Sequence, residues 1–186
     1  MRITGGRARG IPLAAPKGDA TRPATDQLRE AVFSSLGPQI NGARIADLFA
    51  GTGAYGLEAM SRGAATGLFV ENSPGVVACL RKNLAAVSKS CGAEPGAWKI
   101  FAQKIYTLPP GLGPFDLVFM DPPYAMIAER LPEIFQAHVA PIIAERGRLC
   151  FEMPGDLNLP LKGWTATRRL GKAGKNKPTL VFYIRS

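Results

Sequence analysis

Between residues 44 and 71 the chain passes from one short apolar segment to another by way of glycines and a helical stretch. Arg44-Ile45-Ala46-Asp47-Leu48-Phe49 leads into Gly51-Thr52-Gly53-Ala54-Tyr55-Gly56, a helical pattern covers 56–62, and Gly67-Leu68-Phe69-Val70-Glu71 closes the unit. A strand, tight turn, helix and second strand of this length form a β-α-β unit, whose strands lie parallel because the helix carries the chain back across the sheet. The alternation then continues, with a helix over 74–87, strands over 98–102 and 115–120, a helical region over 127–135 and a strand over 148–152. Such a pattern predicts an α/β fold with a mostly parallel sheet and helices on both faces.

The two ends depart from it. Residues 1–24 are rich in Gly, Pro and basic residues, with β-like patterns only at Arg2-Ile3-Thr4 and Ile11-Pro12-Leu13. They read as a basic N-terminal arm or hairpin that buries little, while 25–186 form the one domain. Thr25 suits a helix N-cap, Asp26 favours the positive helix end, and Leu28, Val32 and Leu36 recur every four residues until Gly37-Pro38 stops the run. Near the other end, β-like runs over 164–170 and 179–184 flank a Gly- and Lys-rich segment with no helix between them. They read as an antiparallel hairpin at the sheet edge with a basic loop at its tip.

Charge follows the same division. The 186 residues hold 23 Lys and Arg against 14 Asp and Glu, a formal +9. Residues 157–186 carry seven basic residues and no acid, residues 1–30 carry six against three, and the body between is close to neutral. A near-neutral body with basic extremities suits a core that holds a small ligand and ends that grip a polyanion; solvated lysines alone give the same count. No stretch approaches the roughly 18 apolar residues of a membrane helix, and Met1-Arg2-Ile3-Thr4-Gly5-Gly6 lacks a signal-peptide core. The expected location is the cytoplasm, with no membrane partner. Cys79, Cys91 and Cys150 at wide spacing, and a single histidine, His138, disfavour a disulfide framework, a zinc site and serine or cysteine hydrolase chemistry.

The glycine loop matches the dinucleotide fingerprint, with Glu71 twenty residues after Gly51. Glycines let a backbone approach its ligand closely, and a carboxylate after the second strand accepts hydrogen bonds from ribose hydroxyls. Asp47 separates the candidates. A carboxylate there would repel the pyrophosphate of a nicotinamide cofactor, whereas it suits the amino group and sulfonium of S-adenosylmethionine, which carries no phosphate. The plain alternative is a pair of solvated acids beside an ordinary turn.

Asp121-Pro122-Pro123-Tyr124 directly follows the apolar run 115–120 and therefore stands at the carboxyl end of a central strand, where open α/β sheets bind ligands. Two prolines remove two amide donors, so the carbonyls and the Asp121 carboxylate present acceptors only. Acceptors recognise an exocyclic NH2, and the Tyr124 ring offers a face on which a base can stack.

With these residues in place, the chain resembles class I S-adenosylmethionine-dependent methyltransferases of the N-methylating kind, and more closely the RsmD-type 16S ribosomal RNA guanine-N2 methyltransferases. Asp47-Leu48-Phe49-Ala50-Gly51-Thr52-Gly53 and Asp121-Pro122-Pro123-Tyr124 carry the wider resemblance. Arg2-Ile3-Thr4-Gly5-Gly6, Arg9-Gly10, Arg22-Pro23 and Arg29-Glu30-Ala31-Val32-Phe33 carry the narrower one. The resemblance implies a Rossmann-like, seven-stranded sheet and S-adenosylmethionine held by Asp47, Phe49, Gly51, Gly53, Glu71, Asn72 and Gln103. It further implies catalysis by Asp121, Pro122, Pro123 and Tyr124 without a metal. RNA would meet Arg2, Arg7, Arg9, Lys17, Arg22, Arg29, Lys172, Lys175 and Lys177. The implied substrate is 16S ribosomal RNA in a 30S subunit or assembly intermediate, and the implied state is a monomer. Ala24 and Gln103 depart from the family pattern, standing where a hydroxyl residue and an Asp or Asn are usual. Adenine-N6 methylation, protein-glutamine methylation, for which Asn in place of Asp121 would be the commoner residue, and a non-catalytic RNA-binding assembly factor are the rival readings.

Overall fold

The computed structural model describes residues 1–16, 25–175 and 177–186, with the backbone alone at 128 and 129. Seven strands form one sheet: β1 (Arg44–Leu48), β2 (Thr66–Val70), β3 (Trp98–Phe101), β4 (Phe115–Met120), β5 (Ile143–Pro154), β6 (Trp164–Gly171) and β7 (Pro178–Arg185). Their order across the sheet is β3-β2-β1-β4-β5-β7-β6, parallel from β3 to β5, with β7 antiparallel to both its neighbours. This is the α/β sheet that the alternating pattern predicts, closed at one edge by the expected C-terminal hairpin.

Helices α1 (Asp26–Leu36), α2 (Ala54–Ser61) and α3 (Pro74–Cys91) cover one face, where Phe33, Leu57 and Leu80 pack with Phe69 and Phe119 of the sheet. On the other face α4 (Tyr124–Glu129) and α5 (Leu131–Ile134) bring Ile127, Leu131 and Ile134 against Val118, Met120 and Phe151. Burying apolar area on both faces at roughly 25 cal/mol per Å² is what holds the strands together. Thr25 caps α1 by accepting from the Leu28 amide, as its position suggests. The region over 127–135 is less regular than its pattern predicts: α4 ends at Arg130, α5 restarts with Pro132 in its first turn, and a π-helical turn follows over Phe135–Val139. Strand β5 is longer than 148–152, because a register irregularity against β4 lets it absorb Glu145, Arg146 and Gly147. A Cβ at Gly147 would sit 2.8 Å from the Phe115 carbonyl, so the irregularity needs a glycine there.

The N-terminal segment is built into the body rather than lying over it. The Ile3 amide donates to the Ile11 carbonyl at 3.0 Å and the Leu13 amide to the Met1 carbonyl at 3.1 Å, which folds residues 1–13 into a hairpin. Ile3, Ala8 and Leu13 are buried in the α1–α3 core, correcting the expectation that this arm buries little. A Cβ at Gly6, whose φ is 77°, would overlap the Ser61 carbonyl, so the turn closes on α2 only with glycine. Lys17, Arg22 and Ala24 lie outside the described residues. No helix among the described residues is long and apolar enough to cross a membrane.

Candidate active site

The glycine loop leaves β1 through Phe49, which takes a left-handed φ of 59°, and turns at Gly51 (φ 55°) and Gly53 (φ 85°) into α2. Two carboxyl groups hold it. Asp47 accepts from the Gly56 amide at 2.8 Å, and Glu71 accepts from the Gly51 amide at 3.0 Å with one oxygen and from the Asn72 and Ser73 amides at 2.8 Å with the other. A Cβ at Gly53 would press on Leu80, whereas one at Gly51 would meet nothing within 4 Å. Gly53 thus serves helix packing, and Gly51 faces open space beside Glu71.

Four acids stand at the carboxyl ends of adjacent strands: Glu71 after β2, Asp47 in β1, Asp121 after β4 and Glu152 in β5. Asp47 is buried, and desolvation raises its pKa to about 8, the Gly56 amide working against this and the Glu71 charge adding to it. Its carboxyl is turned into the loop, onto the Gly56 amide, so that in this structure Asp47 shapes the loop from within. Asp121 follows Met120, which pairs with Leu48 on one side and Phe151 on the other, and its amide donates to the Leu48 carbonyl at 3.4 Å. Among the described residues no donor reaches the Asp121 side chain. Burial, then the charges of Glu152 and Asp47, push its pKa well above the usual carboxylate range. Pro122 is buried, and Tyr124, 36% exposed as a residue, opens α4.

Glu152 and Tyr55 complete the site, and neither stands out in the sequence. The Tyr55 hydroxyl donates to a Glu152 oxygen at 2.6 Å, and its ring stacks on Phe119 with centroids 5.2 Å apart. Glu152 is almost wholly buried, and desolvation lifts its pKa to about 7 against the opposing Tyr55 hydrogen bond and Arg29 charge. The two residues are 97 positions apart in sequence, so only the β4–β5 register reveals them as neighbours of Asp121.

The basic residues divide into two groups. Arg29 cannot meet RNA: its side chain is fully buried, one nitrogen donates to Asp26 at 2.8 Å, and Nε lies 3.5 Å from Glu58. This overturns its reading as a phosphate contact; a guanidinium held among acids in the core is a structural cation. Arg2, Arg7 and Arg9 are exposed on the hairpin. Lys172, Lys175 and Lys177 are exposed in the β6–β7 connection, which stands at the site end of β5 because Pro154 pairs with Pro178 and the Gly155 amide donates to the Lys177 carbonyl at 2.9 Å.

A family model described as "Conserved hypothetical protein 95" matches residues 1–183. The chain belongs to this family. It is 40% identical over 126 residues to "Ribosomal RNA small subunit methyltransferase D" of Escherichia coli (strain K12), covering 67% of this chain and 60% of that protein. The protein of the same name from Haemophilus influenzae is 34% identical over 125 residues, covering 67% of this chain and 64% of its own length. The match thus spans somewhat less than two thirds of these relatives. The solved structure of "Putative methyltransferase yhhF" from Escherichia coli aligns with a TM-score of 0.79 at 31% identity, covering 100% of this chain and 98% of that one. These findings bear out the resemblance to RsmD-type proteins and the class I methyltransferase fold.

Within that frame the structure brings together Phe49, Gly51, Gly53, Glu71 and Asn72 around one loop. Gln103, after β3, uses its side-chain NH2 on the Thr107 carbonyl at 2.8 Å, which leaves its amide oxygen as the acceptor.

Proposed function

We propose that the protein transfers a methyl group from S-adenosylmethionine to the exocyclic N2 amine of a guanine in bacterial 16S ribosomal RNA, as a cytoplasmic monomer acting on a 30S subunit or assembly intermediate. One observation carries the reading: Asp121-Pro122-Pro123-Tyr124 stands at the carboxyl end of β4, one strand from the glycine loop, in a chain whose named relatives are ribosomal RNA methyltransferases.

The loop fits the cofactor. Gly51 leaves its outer side clear, and the Glu71 oxygen that accepts from the Gly51 amide keeps a second lone pair for a ribose hydroxyl. Glu71, Gly51, Gly53, Phe49, Asn72 and the Gln103 amide oxygen are the groups that would hold it. The sulfonium supplies a methyl group already activated for transfer, so no metal is needed.

The remaining work falls to the β4 end. A guanine turned out of its stack would lie on the exposed Tyr124 ring, with Asp121 and the Pro122 carbonyl receiving the two N–H groups of its amine. As the nitrogen gives its electron pair to the methyl carbon, the electrons of the breaking methyl–sulfur bond stay on the sulfur, which leaves as a neutral thioether; the nitrogen becomes positive, and the Asp121 carboxylate would stabilise that charge and take up the N–H proton that restores a neutral amine. The prolines matter by exclusion, since a backbone N–H there would compete for the same acceptors. Fixing amine and methyl in line supplies much of the remaining acceleration.

The test is methyl transfer from labelled S-adenosylmethionine to 30S particles and to naked 16S RNA from cells lacking the gene, followed by nucleoside analysis. N2-methylguanosine is the expected product, and the better substrate identifies the assembly stage. Label in N6-methyladenosine would change the base; a tight cofactor complex with no label in any RNA would overturn the reading.

A further inference from the structure

Glu152 has no part in the mechanism above, although it stands beside its centre. Parallel strands lie about 4.8 Å apart, and Phe151 pairs with Met120, so Glu152 follows on β5 level with Asp121 on β4. Residues two apart on a strand share a face: Asp121 is two residues beyond Phe119, Glu152 two beyond Cys150, and Phe119 pairs with Cys150. Both acids therefore point toward α2. There Tyr55, its ring stacked on Phe119 with Phe33 tilted against both, places its hydroxyl 2.6 Å from one Glu152 oxygen.

We propose that Glu152 is a positioning residue for methyl transfer: oriented by Tyr55 and set beside Asp121 across the β4–β5 pair, it makes Asp121 a stronger acceptor for the substrate amine. The inference rests on the role given to Asp121 above. The physics is that of two carboxyl groups in one dry site, where the charge of the first to ionise raises the proton affinity of the second. Tyr55 and the Arg29 charge favour ionisation at Glu152, so the greater proton affinity falls to Asp121.

Among the described residues the surrounding charges are few. Glu152 faces Tyr55 from α2, the Arg29 charge from α1 and Asp121 from β4, while β7 sets the apolar Leu180 opposite it. Asp121 faces Glu152, the Asp47 charge from β1 and the Tyr55 ring from α2. These neighbours of Asp121 are acids and a phenol, so removing the charge of Glu152 acts on it directly.

Glu152→Gln keeps the shape and the oxygen that accepts from Tyr55 while deleting the charge. Asp121 should then ionise at lower pH, so the acid limb of kcat should move down by about one pH unit or more. The Kd for S-adenosylmethionine should stay within about threefold. Tyr55→Phe, which removes the hydrogen bond favouring charge on Glu152, should move the limb the same way by less. A purely structural Glu152 would lower Tm or the rate at every pH with the limb in place, and that result would overturn the proposal. Should Glu152→Gln fail to fold, a carbon-13 carboxyl titration of the native protein decides: an Asp121 signal that shows a second inflection where the Glu152 signal titrates supports it, and an Asp121 signal that does not respond to Glu152 overturns it. Asp121→Ala separates the two readings. Retained turnover there would remove the role of Asp121 itself, whereas loss of turnover with an unmoved Glu152→Gln limb would remove only the role of Glu152.

Discussion

Glu58 and Asp121 lie on the same side of the sheet, one in α2 and one just beyond β4, and their surroundings are opposite. Glu58 is fully buried and saturated: it accepts from the Thr4 amide and hydroxyl, the Gly5 amide and Arg62, with Arg29 beside it. Asp121 has other acids for neighbours and no donor on its side chain among the described residues. A buried carboxylate that accepts four hydrogen bonds is finished structure, whereas a half-buried one left among acids destabilises the fold and keeps its acceptor capacity for something outside the chain. The contrast marks where the molecule is built for stability and where for chemistry.

The contrast breaks most visibly if Asp121 is removed. Asp121→Ala should lower kcat by roughly a thousandfold or more, with the Kd for S-adenosylmethionine little changed and the urea midpoint equal or higher. Single-turnover methylation and equilibrium binding check this together. Glu58→Ala should do the reverse: stripping the Thr4 and Gly5 amides and Arg62 of their common acceptor, and Arg29 of one of its two acids, costs about 3–5 kcal/mol of stability, read from urea unfolding, while the folded fraction keeps its affinity for S-adenosylmethionine.

Stability against pH sharpens the comparison further. Asp47 and Glu152 hold pKa values raised to about 8 and about 7, above the ordinary carboxylate range of the unfolded chain, so the folded state prefers the protonated forms. Their contribution is complete below about pH 4 and is lost as pH rises through 7 and 8. The urea midpoint should fall over that window, and Asp47→Asn, which can still accept from Gly56, should flatten the fall. A smaller effect belongs to the basic loop. Replacing Lys172, Lys175 and Lys177 by Ala should leave Tm unchanged and reduce the slope of log affinity for RNA against log salt by about 0.7 for each phosphate no longer engaged.

Much of the finished framework is legible without coordinates, because apolar runs such as 44–49 and 115–120 and punctuating glycines such as Gly51 and Gly53 are local signals. The C-terminal hairpin is legible for the same reason. What escapes is long-range. Ile3, Ala8 and Leu13 are isolated apolar residues among Gly, Pro and Arg, and nothing local says that they share a core with Phe33 and Leu57. Arg29 reads as one more surface cation until Glu58 is seen beside it. Within the site, the acceptor motif declares itself through two prolines in succession, but Glu152 is an acid at the end of an apolar strand, and only strand order makes it a neighbour of Asp121.

The docking of the N-terminal hairpin bears on how the chain is made. Residues 1–14 emerge from the ribosome before the groups that hold them: Glu58 and Ser61 on α2, then Asn83 and the carbonyl of Cys91 on α3. The chain as far as Cys91 must therefore exist before residues 1–14 can settle fully, and Ile3 stays in water until α2 is in place. A bulky fusion placed directly before Met1 would crowd this late docking step, while one at Ser186, which follows β7 and donates to the Gly163 carbonyl, would not.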